Sequence, residues 1–404
     1  MGGSVDDRLV LLSNGCPVHT RDLLGAPLRA GGRGLAEIQH LTERCATLRR
    51  HDARMVTLGR VPMSPIEARL ERFVSRLGVP GAGIAMIDAD GSFDAAVTGT
   101  TRRGHDEPVA LSHQWHIGSC TKSITSAMYA LLVQRGRARW ETPVSELVAD
   151  LADDIHSDWA IPTIDEVLQC RGGVRPNLRV RQLRQARDDT RSAADQRTAT
   201  ARDILRIAPA RHGQFRYSNL GYVVVGAAID RLAGSYEQAL HDLILDPLGI
   251  DSAGLGPPPD IWGHQSRLQF GPLGIGHGRP SSPARPVSDN PAVYTPAGRL
   301  HLSLPDWATI VLRLFLDTDD RLLTAESIDR LLHVPDGNAM AMGWADPPDQ
   351  MPRASAAMQG SNMFWAATGL LDTDRRRAVL LVTNDGRTRV LSGSARFAYD
   401  LLPQ

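Results

Sequence analysis

The 404-residue sequence has almost no lysine, few cysteines and aromatic residues, and no net charge. Basic and acidic residues number 45 each, so the charge does not favour binding to nucleic acid or to an anionic membrane. The four cysteines (Cys16, Cys45, Cys120 and Cys170) are scattered, without zinc-ligand spacing or a disulfide framework. Hydrophobic residues still make up 42% of the chain, which is enough for a large core without disulfides or metals.

A secretion signal and a membrane span are also missing from the sequence. The apolar run at residues 9–12 is four residues long, and two aspartates precede it. A signal peptide needs a longer apolar stretch, and a transmembrane helix needs a longer one still. We therefore expect a cytoplasmic protein, unless an upstream signal has been removed, and its scattered cysteines fit a reducing compartment.

The scarcity of lysine is the most informative of these features. Of the 45 basic residues, 44 are arginine, and Lys122 is the single lysine. The two residue types are nearly equivalent on a solvated surface, but a guanidinium cannot lose its proton at physiological pH. A lysine kept against this bias indicates a position where an amine must exchange a proton. Survival by chance is the alternative, and the surroundings of Lys122 argue against it.

Hydrophobic patterning divides the chain into an extension and a main folded domain. Residues 1–63 have mixed polarity and weak periodicity, and we treat them as an N-terminal extension of unclear structure. Residues 64–404 have strand patterns near both ends and helical periodicity between them. This order predicts an α/β fold, with an antiparallel sheet built from N- and C-terminal strands, flanked by helices, and an inserted, mostly helical lobe. We place the α/β part at about 64–123 and 341–404, and the lobe at about 124–340.

Several elements can be predicted individually. Ser64-Pro65, followed by apolar residues at helical spacing, predicts the start of a helix. The other predictions are a hairpin over 81–100, a second hairpin with strands 363–371 and 378–383, a final helix over 390–402, and a long surface loop over 271–296.

The first chemical motif is Gly118-Ser119-Cys120-Thr121-Lys122. Apolar residues at helical spacing follow it, so Ser119 should lie at a helix N-terminus. Residues i and i+3 share a helix face, which puts the Lys122 amine beside the Ser119 hydroxyl. A serine hydroxyl is a weak nucleophile that needs an adjacent base, and a partly buried lysine can supply one. The alternative is an N-cap serine with an incidental lysine.

The second motif is Tyr217-Ser218-Asn219, which precedes a helical run and should present its side chains into a cleft. A tyrosine held near a lysine can act as a proton shuttle. Asn219 can hydrogen-bond both the lysine and a substrate carbonyl. Taken alone, this tripeptide is also a common helix entry.

The third motif is MQGSN at 358–362, which we place immediately before an apolar strand. Gly360 should let a substrate approach the backbone closely. The backbone amides of Ser361 and Ser119 would form a two-donor oxyanion hole, which is the largest single contribution to catalysis in acyl transfer. Of the aromatic residues that follow, Phe364 and Trp365, one should face the cleft because they alternate on a strand.

The order of SxxK, YxN and xxGS motifs resembles the serine β-lactamase and penicillin-binding protein superfamily. It is most similar to the branch of class C β-lactamases, carboxylesterases and D-aminopeptidases. The resemblance extends from about residue 64 to 401 and includes the segments HIGSCTKSIT, YSNLGYVVVGAAIDRL, DPLGIDSAG, WGH and DNPAVYTPAGRLHLSLPDW. It implies that Ser119 is the acylated nucleophile, Lys122 its activating amine, Tyr217 the general base or acid, and Asn219 a substrate-positioning residue.

The sequence departs from this family pattern at Met358. The branch usually carries Lys or His there, and in lactamases and peptidases that cation helps to bind a substrate carboxylate. Methionine offers only an apolar contact, so we expect poor turnover of penicillins and D-Ala-D-Ala peptides and better turnover of neutral esters.

These features predict a serine enzyme that works through an acyl-Ser119 intermediate on a small-molecule ester or amide. It would be a transacylase or esterase of secondary metabolism, such as antibiotic biosynthesis, with water, an amine or an alcohol as acceptor. We expect no cofactor and no metal, since His113, His264 and His301 lack metal-ligand spacing. The alternatives are a plain carboxylesterase, a β-lactamase or DD-peptidase-type hydrolase, and a non-catalytic ligand sensor.

Overall fold

The computed structural model describes residues 64–148, 155–270, 273–316, 318–319 and 321–403. The predicted N-terminal extension, 1–63, lies outside the described residues, so its boundary stays a prediction. At the start of the described chain, helix α1 (Pro65–Leu77) begins where Ser64 caps it, since the Ser64 hydroxyl accepts a hydrogen bond from Glu67 N at 3.2 Å. It ends at Gly78, whose φ of 62° is a left-handed conformation that glycine adopts without strain.

A five-stranded antiparallel sheet joins the two ends of the domain, as the sequence predicts. Its strands are β1 (Gly81–Asp88), β2 (Phe93–Gly99), β10 (Ala354–Ser361), β11 (Ala366–Asp372) and β12 (Arg377–Thr383). The strand order is β10-β11-β12-β1-β2, so the N-terminal hairpin pairs with the C-terminal strands through β1 and β12.

The sheet separates two apolar cores. On one face, α1 and the final helix α13 (Thr388–Tyr399) pack against it, and the rings of Phe73 and Phe397 stack with centroids 4.8 Å apart. The other face borders a larger core shared with the middle of the chain. The final helix was predicted over 390–402, and the observed helix begins and ends a few residues earlier.

The middle of the chain supplies most of the helices, as predicted. They are α2 (Thr121–Gln134), α3 (Val144–Leu147), α4 (Ile164–Leu168), α5 (Val180–Asp188), α6 (Ala193–Leu205), α7 (Asn219–Ala233), α8 (Tyr236–Leu240), α9 (Asp246–Leu248), α10 (Thr295–Gly298), α11 (Leu304–Phe315) and α12 (Ala325–Leu332). A π turn (His241–Leu245) joins α8 to α9. The 3-10 turns are Gly118–Cys120, Ser157–Ala160, Pro286–Ser288 and Ala292–Tyr294.

Short strands outside the five-stranded sheet also occur and were not predicted. They are β3 (Gln114–His116), β4 (Gly254–Leu255), β5 (Gly263–Gln265), β6 (Leu268–Phe270), β7 (Leu273–Ile275), β8 (Arg279–Ser281) and β9 (Leu300–Ser303). The prediction of one surface loop over 271–296 was therefore wrong. Within that stretch β8 pairs with β5, and Ser288 and Asp289 are buried.

The C-terminal strands also differ from the prediction, because the structure has three strands where two were expected. The third motif is itself the end of a strand, β10, and the next strand starts at Ala366 rather than at residue 363. The Asn362 side chain explains the break, since its Oδ1 accepts hydrogen bonds from Phe364 N and Trp365 N at 3.1 and 3.2 Å. Met363 adopts a φ of 74° in this turn. Phe364 and Trp365 therefore lie in a turn between strands.

Candidate active site

Ser119 lies in the 3-10 turn Gly118–Cys120, which leads directly into α2. The turn is held by the Thr121 hydroxyl, which donates to Gly118 O at 2.7 Å. Gly118 has a φ of 53°, and a Cβ atom at this position would lie 2.5 Å from Ser361 N. The close approach of two backbone segments, together with the left-handed φ, explains the glycine before the nucleophile.

Lys122 is 1% exposed, and its Nζ donates three hydrogen bonds. These reach Ser119 Oγ at 3.1 Å, Asn219 Oδ1 at 2.7 Å and the Ala297 carbonyl oxygen at 2.5 Å. All three acceptors are neutral, and no carboxylate of the described residues is ion-paired with Lys122. The amine can therefore exchange a proton with Ser119 without first breaking an ion pair.

Tyr217 contacts Ser119 through its hydroxyl group. Its hydroxyl donates to Ser119 Oγ at 2.9 Å, and its side chain is partly exposed. Lys122 Nζ lies 5.0 Å from the centre of its ring. Asn219 begins α7, where the Ser218 hydroxyl caps the helix by accepting from Gly221 N at 2.9 Å. The structure thus brings Ser119, Lys122, Tyr217 and Asn219 together.

The third motif lies against the nucleophile turn. A Cβ atom at Gly360 would lie 2.0 Å from Ile117 O and 2.7 Å from Ser119 N, so the Ser119 turn fills the space that we had expected a substrate to approach. Ser361 N and Ser119 N lie on these two touching segments. The proposed oxyanion hole therefore has both donors in one place, and its role stays a prediction.

The two other predicted substrate contacts are differently placed. Met358 is 2% exposed, borders a cavity next to Ser119, and its Sδ accepts from the Ser123 hydroxyl at 3.5 Å. Trp365 is fully buried and stacks on His116, with ring centroids 5.6 Å apart. The structure does not bring Trp365 into the cleft, because the turn after Asn362 directs it behind the motif.

Ser119 lines two cavities of different character. The smaller has a volume of about 170 Å³ and a polar wall formed by Ser119, Asn177, Leu178, Leu183, Asn219, Asn290, Tyr294, Ala297, Gly298 and Ser361. The larger has a volume of about 400 Å³. Its wall is mostly apolar and is formed by Ser119, Lys122, Phe215, Tyr217, Ala339, Met340, Gly343, Ala345, Asp346, Pro348, Met351, Ala357, Met358, Gln359, Leu370 and Ala395.

A buried charged cluster lies behind the nucleophile turn and was not predicted. His116 Nδ1 accepts from Gly118 N at 3.0 Å, and its Nε2 lies 3.0 Å from Asp289 Oδ1. Asp289 also accepts from Arg299 Nε at 3.2 Å and from Asn362 Nδ2 at 3.0 Å. Burial alone would raise the pKa of Asp289, but His116, Arg299 and Asn362 hold that pKa below its ordinary value. The cluster ties the residue before the nucleophile to the residue after Ser361.

Sequence reasoning missed several residues around the cleft. Asn177, Asn290 and Tyr294 line the polar cavity, and Ala297 supplies the carbonyl that binds Lys122. The last three lie in the DNPAVYTPAG segment, which carries part of the family resemblance but no motif of its own. A backbone carbonyl leaves no residue-type signal, so the contact between Ala297 and Lys122 could not be found from the sequence.

The described residues contain neither a metal-binding cluster nor a helix that could cross a membrane. No group of three or more His, Cys, Asp or Glu side chains is arranged to hold a metal ion in the part of the chain that the structure describes. No helix in the same ranges has the length and apolar character that a bilayer-spanning segment requires. The cytoplasmic location stays a prediction.

Comparison with known proteins links the fold to one family. The Beta-lactamase family model matches residues 66–401. Penicillin-binding protein 4 of Amycolatopsis lactamdurans is 26% identical over 285 residues, which is 66% of this chain and 70% of that protein.

Solved structures show the same fold at low identity. The D-amino acid amidase of Ochrobactrum anthropi SV3, complexed with L-phenylalanine, superposes with a TM-score of 0.66 at 19% identity, covering 83% of this chain and 97% of that one. A D-stereospecific amidohydrolase from a Streptomyces species superposes with a TM-score of 0.62 at 17% identity, covering 84% and 98%. Because its family model covers most of the sequence, the chain belongs to the β-lactamase family, as its three motifs had indicated.

Proposed function

We propose that Ser119 is acylated by a small-molecule carboxylic ester or amide and then transfers the acyl group to water, an amine or an alcohol. One observation carries this proposal: Ser119 Oγ lies between Lys122 Nζ at 3.1 Å and Tyr217 Oη at 2.9 Å. A nucleophile needs one neighbour that removes its proton and another that can protonate the leaving group. Both neighbours are within hydrogen-bond distance of the same oxygen.

In acylation, Lys122 acts in its unprotonated form: the Ser119 oxygen forms a bond to the carbonyl carbon of the donor while its proton passes to the lone pair of the Lys122 amine. The carbonyl electrons move to the oxygen, where the Ser119 and Ser361 amides stabilise the negative charge. The bond to the leaving group then breaks, and the Tyr217 hydroxyl gives the departing oxygen or nitrogen its proton. Return of the proton from Lys122 to Tyr217 leaves an acyl-Ser119 and neutral side chains.

Deacylation follows the same steps with the acceptor in place of the leaving group. The Tyr217 hydroxyl first passes its proton to the neutral Lys122 amine, and the resulting phenolate takes a proton from the acceptor as the acceptor oxygen or nitrogen attacks the acyl carbon. When the acyl bond breaks, Lys122 returns its extra proton to Ser119. Water is the competing acceptor. The apolar wall of the larger cavity disfavours ordered water, which supports transacylation over plain hydrolysis.

The lining of the cavities also supports a neutral donor. Met358 stands where related enzymes carry a cation, and it is buried against Ser123. Among the described residues that line either cavity, Lys122 is the single basic side chain, and it is already hydrogen-bonded to three oxygens. A carboxylate-bearing donor would therefore lack a free cationic partner, so neutral esters should be turned over faster than penicillins.

Covalent labelling tests the proposal. A fluorophosphonate should add to the wild-type protein with one-to-one stoichiometry, measured by mass spectrometry, and Ser119→Ala should abolish the adduct. Ser157→Ala, at an exposed serine away from the cavities, is the matched control and should label like the wild type.

The acceptor is tested by product ratios. In turnover of a neutral ester, an added primary amine should raise the amide-to-acid ratio above that of the enzyme-free control. Efficient hydrolysis without any amide would leave a plain esterase. A folded wild-type protein that never labels would favour the non-catalytic sensor.

A further inference from the structure

The apolar cavity beside Ser119 carries an acidic residue that the proposed reaction does not use. Among the described residues of its wall, Lys122 and Asp346 are the charged ones. Lys122 is buried and directs its amine to Ser119, Asn219 and Ala297. The Asp346 carboxylate is therefore the charged group that a ligand can contact in this cavity, whose wall is mostly apolar.

The backbone fixes the position of Asp346 relative to the third motif. Its neighbour Ala345 forms an antiparallel bridge with Ala357 of β10, with N···O distances of 2.7 and 3.0 Å. The amide of Asp346 itself donates to Ala339 O at 3.3 Å. Because Ala357 directly precedes Met358, the bridge holds Asp346 beside the strand that carries the methionine.

The carboxylate of Asp346 has no counter-ion within the described part of the chain. No arginine, lysine or histidine of the described residues forms an ion pair with it, and its side chain is exposed. An unpaired acidic side chain on an open protein surface is simply hydrated and gives no indication of a binding site. Asp346 differs because it lies on the wall of a cavity that also contains the nucleophile.

We propose that Asp346 binds an ammonium group of the substrate, whose apolar body fills the larger cavity and whose carbonyl reaches Ser119. The charges are the reverse of those in a carboxylate-binding site. Met358 stands where related enzymes carry a cation, and Asp346 places a negative charge next to the same strand. A cation beside this wall is attracted more strongly than on an open surface, since part of its surroundings is apolar. The bound ammonium is distinct from any attacking amine, because a protonated nitrogen has no lone pair for attack.

This inference rests on the proposed function in one respect, the placement of the substrate carbonyl at Ser119. Its test therefore measures ligand binding in a protein that cannot form the acyl-Ser119 intermediate. The Ser119→Ala protein cannot be acylated at that position, and calorimetry on it compares three ligands of equal chain length: n-hexylammonium, 1-hexanol and hexanoate. We expect hexylammonium to bind about three- to tenfold more tightly than hexanol, with hexanoate weakest.

Three further variants, each made in the Ser119→Ala protein, test whether Asp346 causes the preference for hexylammonium. Asp346→Asn should reduce hexylammonium to the affinity of hexanol, and Asp346→Lys should shift the preference to hexanoate. Asp349→Asn, at an exposed acid that does not line the cavity, should leave the order unchanged.

Two results would overturn the assignment. One is equal binding of the three ligands, or none at all, in the Ser119→Ala protein. The other is a preference for hexylammonium that persists in Asp346→Asn. Labelling of Ser119 by a fluorophosphonate is independent of these results, so failure here is separable from failure of the acyl-transfer function.

Discussion

The two sides of the Ser119 turn differ in what their polar side chains contact. We call the side that faces the two cavities the front, and the buried side the back. In front, Lys122 and Tyr217 each donate a hydrogen bond to the neutral Ser119 hydroxyl beside two cavities. Behind it, His116, Arg299 and Asn362 surround the buried carboxylate of Asp289. The front groups keep the freedom to move protons, whereas the back groups are occupied in holding the backbone.

This difference predicts which property each region controls. Removing one partner of a buried ion pair leaves an uncompensated charge and costs stability. Changing a proton-transfer group that faces a cavity lowers the rate and leaves most packing unchanged. Variants of the front should therefore fail in turnover while folded, and variants of the back should lose stability first.

The largest effect is expected at the front, from Lys122→Arg. The guanidinium keeps the positive charge but cannot give up a proton, so acylation should fall by at least about a hundredfold. Pre-steady-state release of p-nitrophenol from a neutral ester measures this rate, and circular dichroism checks that the protein folds.

Arg396→Lys is the control, because it exchanges the same two residue types at an exposed position. Arg396 lies on the last helix and pairs with Asp400, which directly follows that helix. It should change neither the acylation rate nor the stability by a measurable amount. A Lys122→Arg protein with near wild-type acylation would show that proton transfer at this amine is not required. The assignment of proton transfer to the front of the turn would then be wrong.

A smaller loss is expected at the boundary between the two regions, from Gly360→Ala. The new Cβ would lie 2.0 Å from Ile117 O, so the two segments must separate and the Ser119 and Ser361 amides with them. Loss of one oxyanion donor usually costs about a hundredfold or more, and we expect about ten- to a hundredfold because the segments can shift. The effect should appear in kcat rather than KM.

Gly136→Ala is the control, because Gly136 also has a positive φ but has no atom within 4 Å of its added Cβ. It should lower stability by about 1 kcal/mol through backbone strain without changing kcat. Equal losses of kcat in the two variants would mean that contact with the Ser119 turn is unimportant.

The smallest effect on rate is expected at the back, from Asp289→Asn. Its consequence should be a loss of about 1–3 kcal/mol in the free energy of unfolding at neutral pH, with less than about a tenfold change in acylation. The pKa of Asp289 is lower in the folded protein than its ordinary value. Its stabilising contribution is therefore present above that ordinary value, near pH 4, and is lost as the pH falls through the folded pKa.

The stability difference between wild type and Asp289→Asn should accordingly begin to shrink as the pH falls toward about 4, and it should go on shrinking as the pH passes through the lower folded pKa. Urea denaturation at a series of pH values measures it. A difference that stays constant or grows on acidification would contradict the charged state that we assign to Asp289.

Local patterns in the sequence were sufficient for the parts of the fold that depend on neighbours in the chain. Ser64 and Pro65 marked the start of α1, and the contact between Ser119 and Lys122 follows from the i, i+3 rule. The order of strands at both termini also predicted the sheet correctly.

Features that depend on distant parts of the chain could not be predicted in this way. The strand β10, with the sequence ASAAMQGS, lacks the β-branched and aromatic residues that indicate a strand. Small residues are needed there because Gly360 touches the Ser119 turn. The burial of Trp365 depends on the turn at Asn362, and the His116–Asp289 pair joins residues 173 positions apart.

The most direct test of the central claim is the mass of the intact protein during turnover of a neutral activated ester, such as p-nitrophenyl hexanoate, quenched within milliseconds. We expect a mass gain equal to one hexanoyl group replacing one hydrogen, located by peptide mapping at Ser119 and discharged on addition of a primary amine. Release of p-nitrophenol at the full rate with the protein at its unmodified mass, or with the acyl group on another residue, would contradict the assignment of Ser119 as the nucleophile.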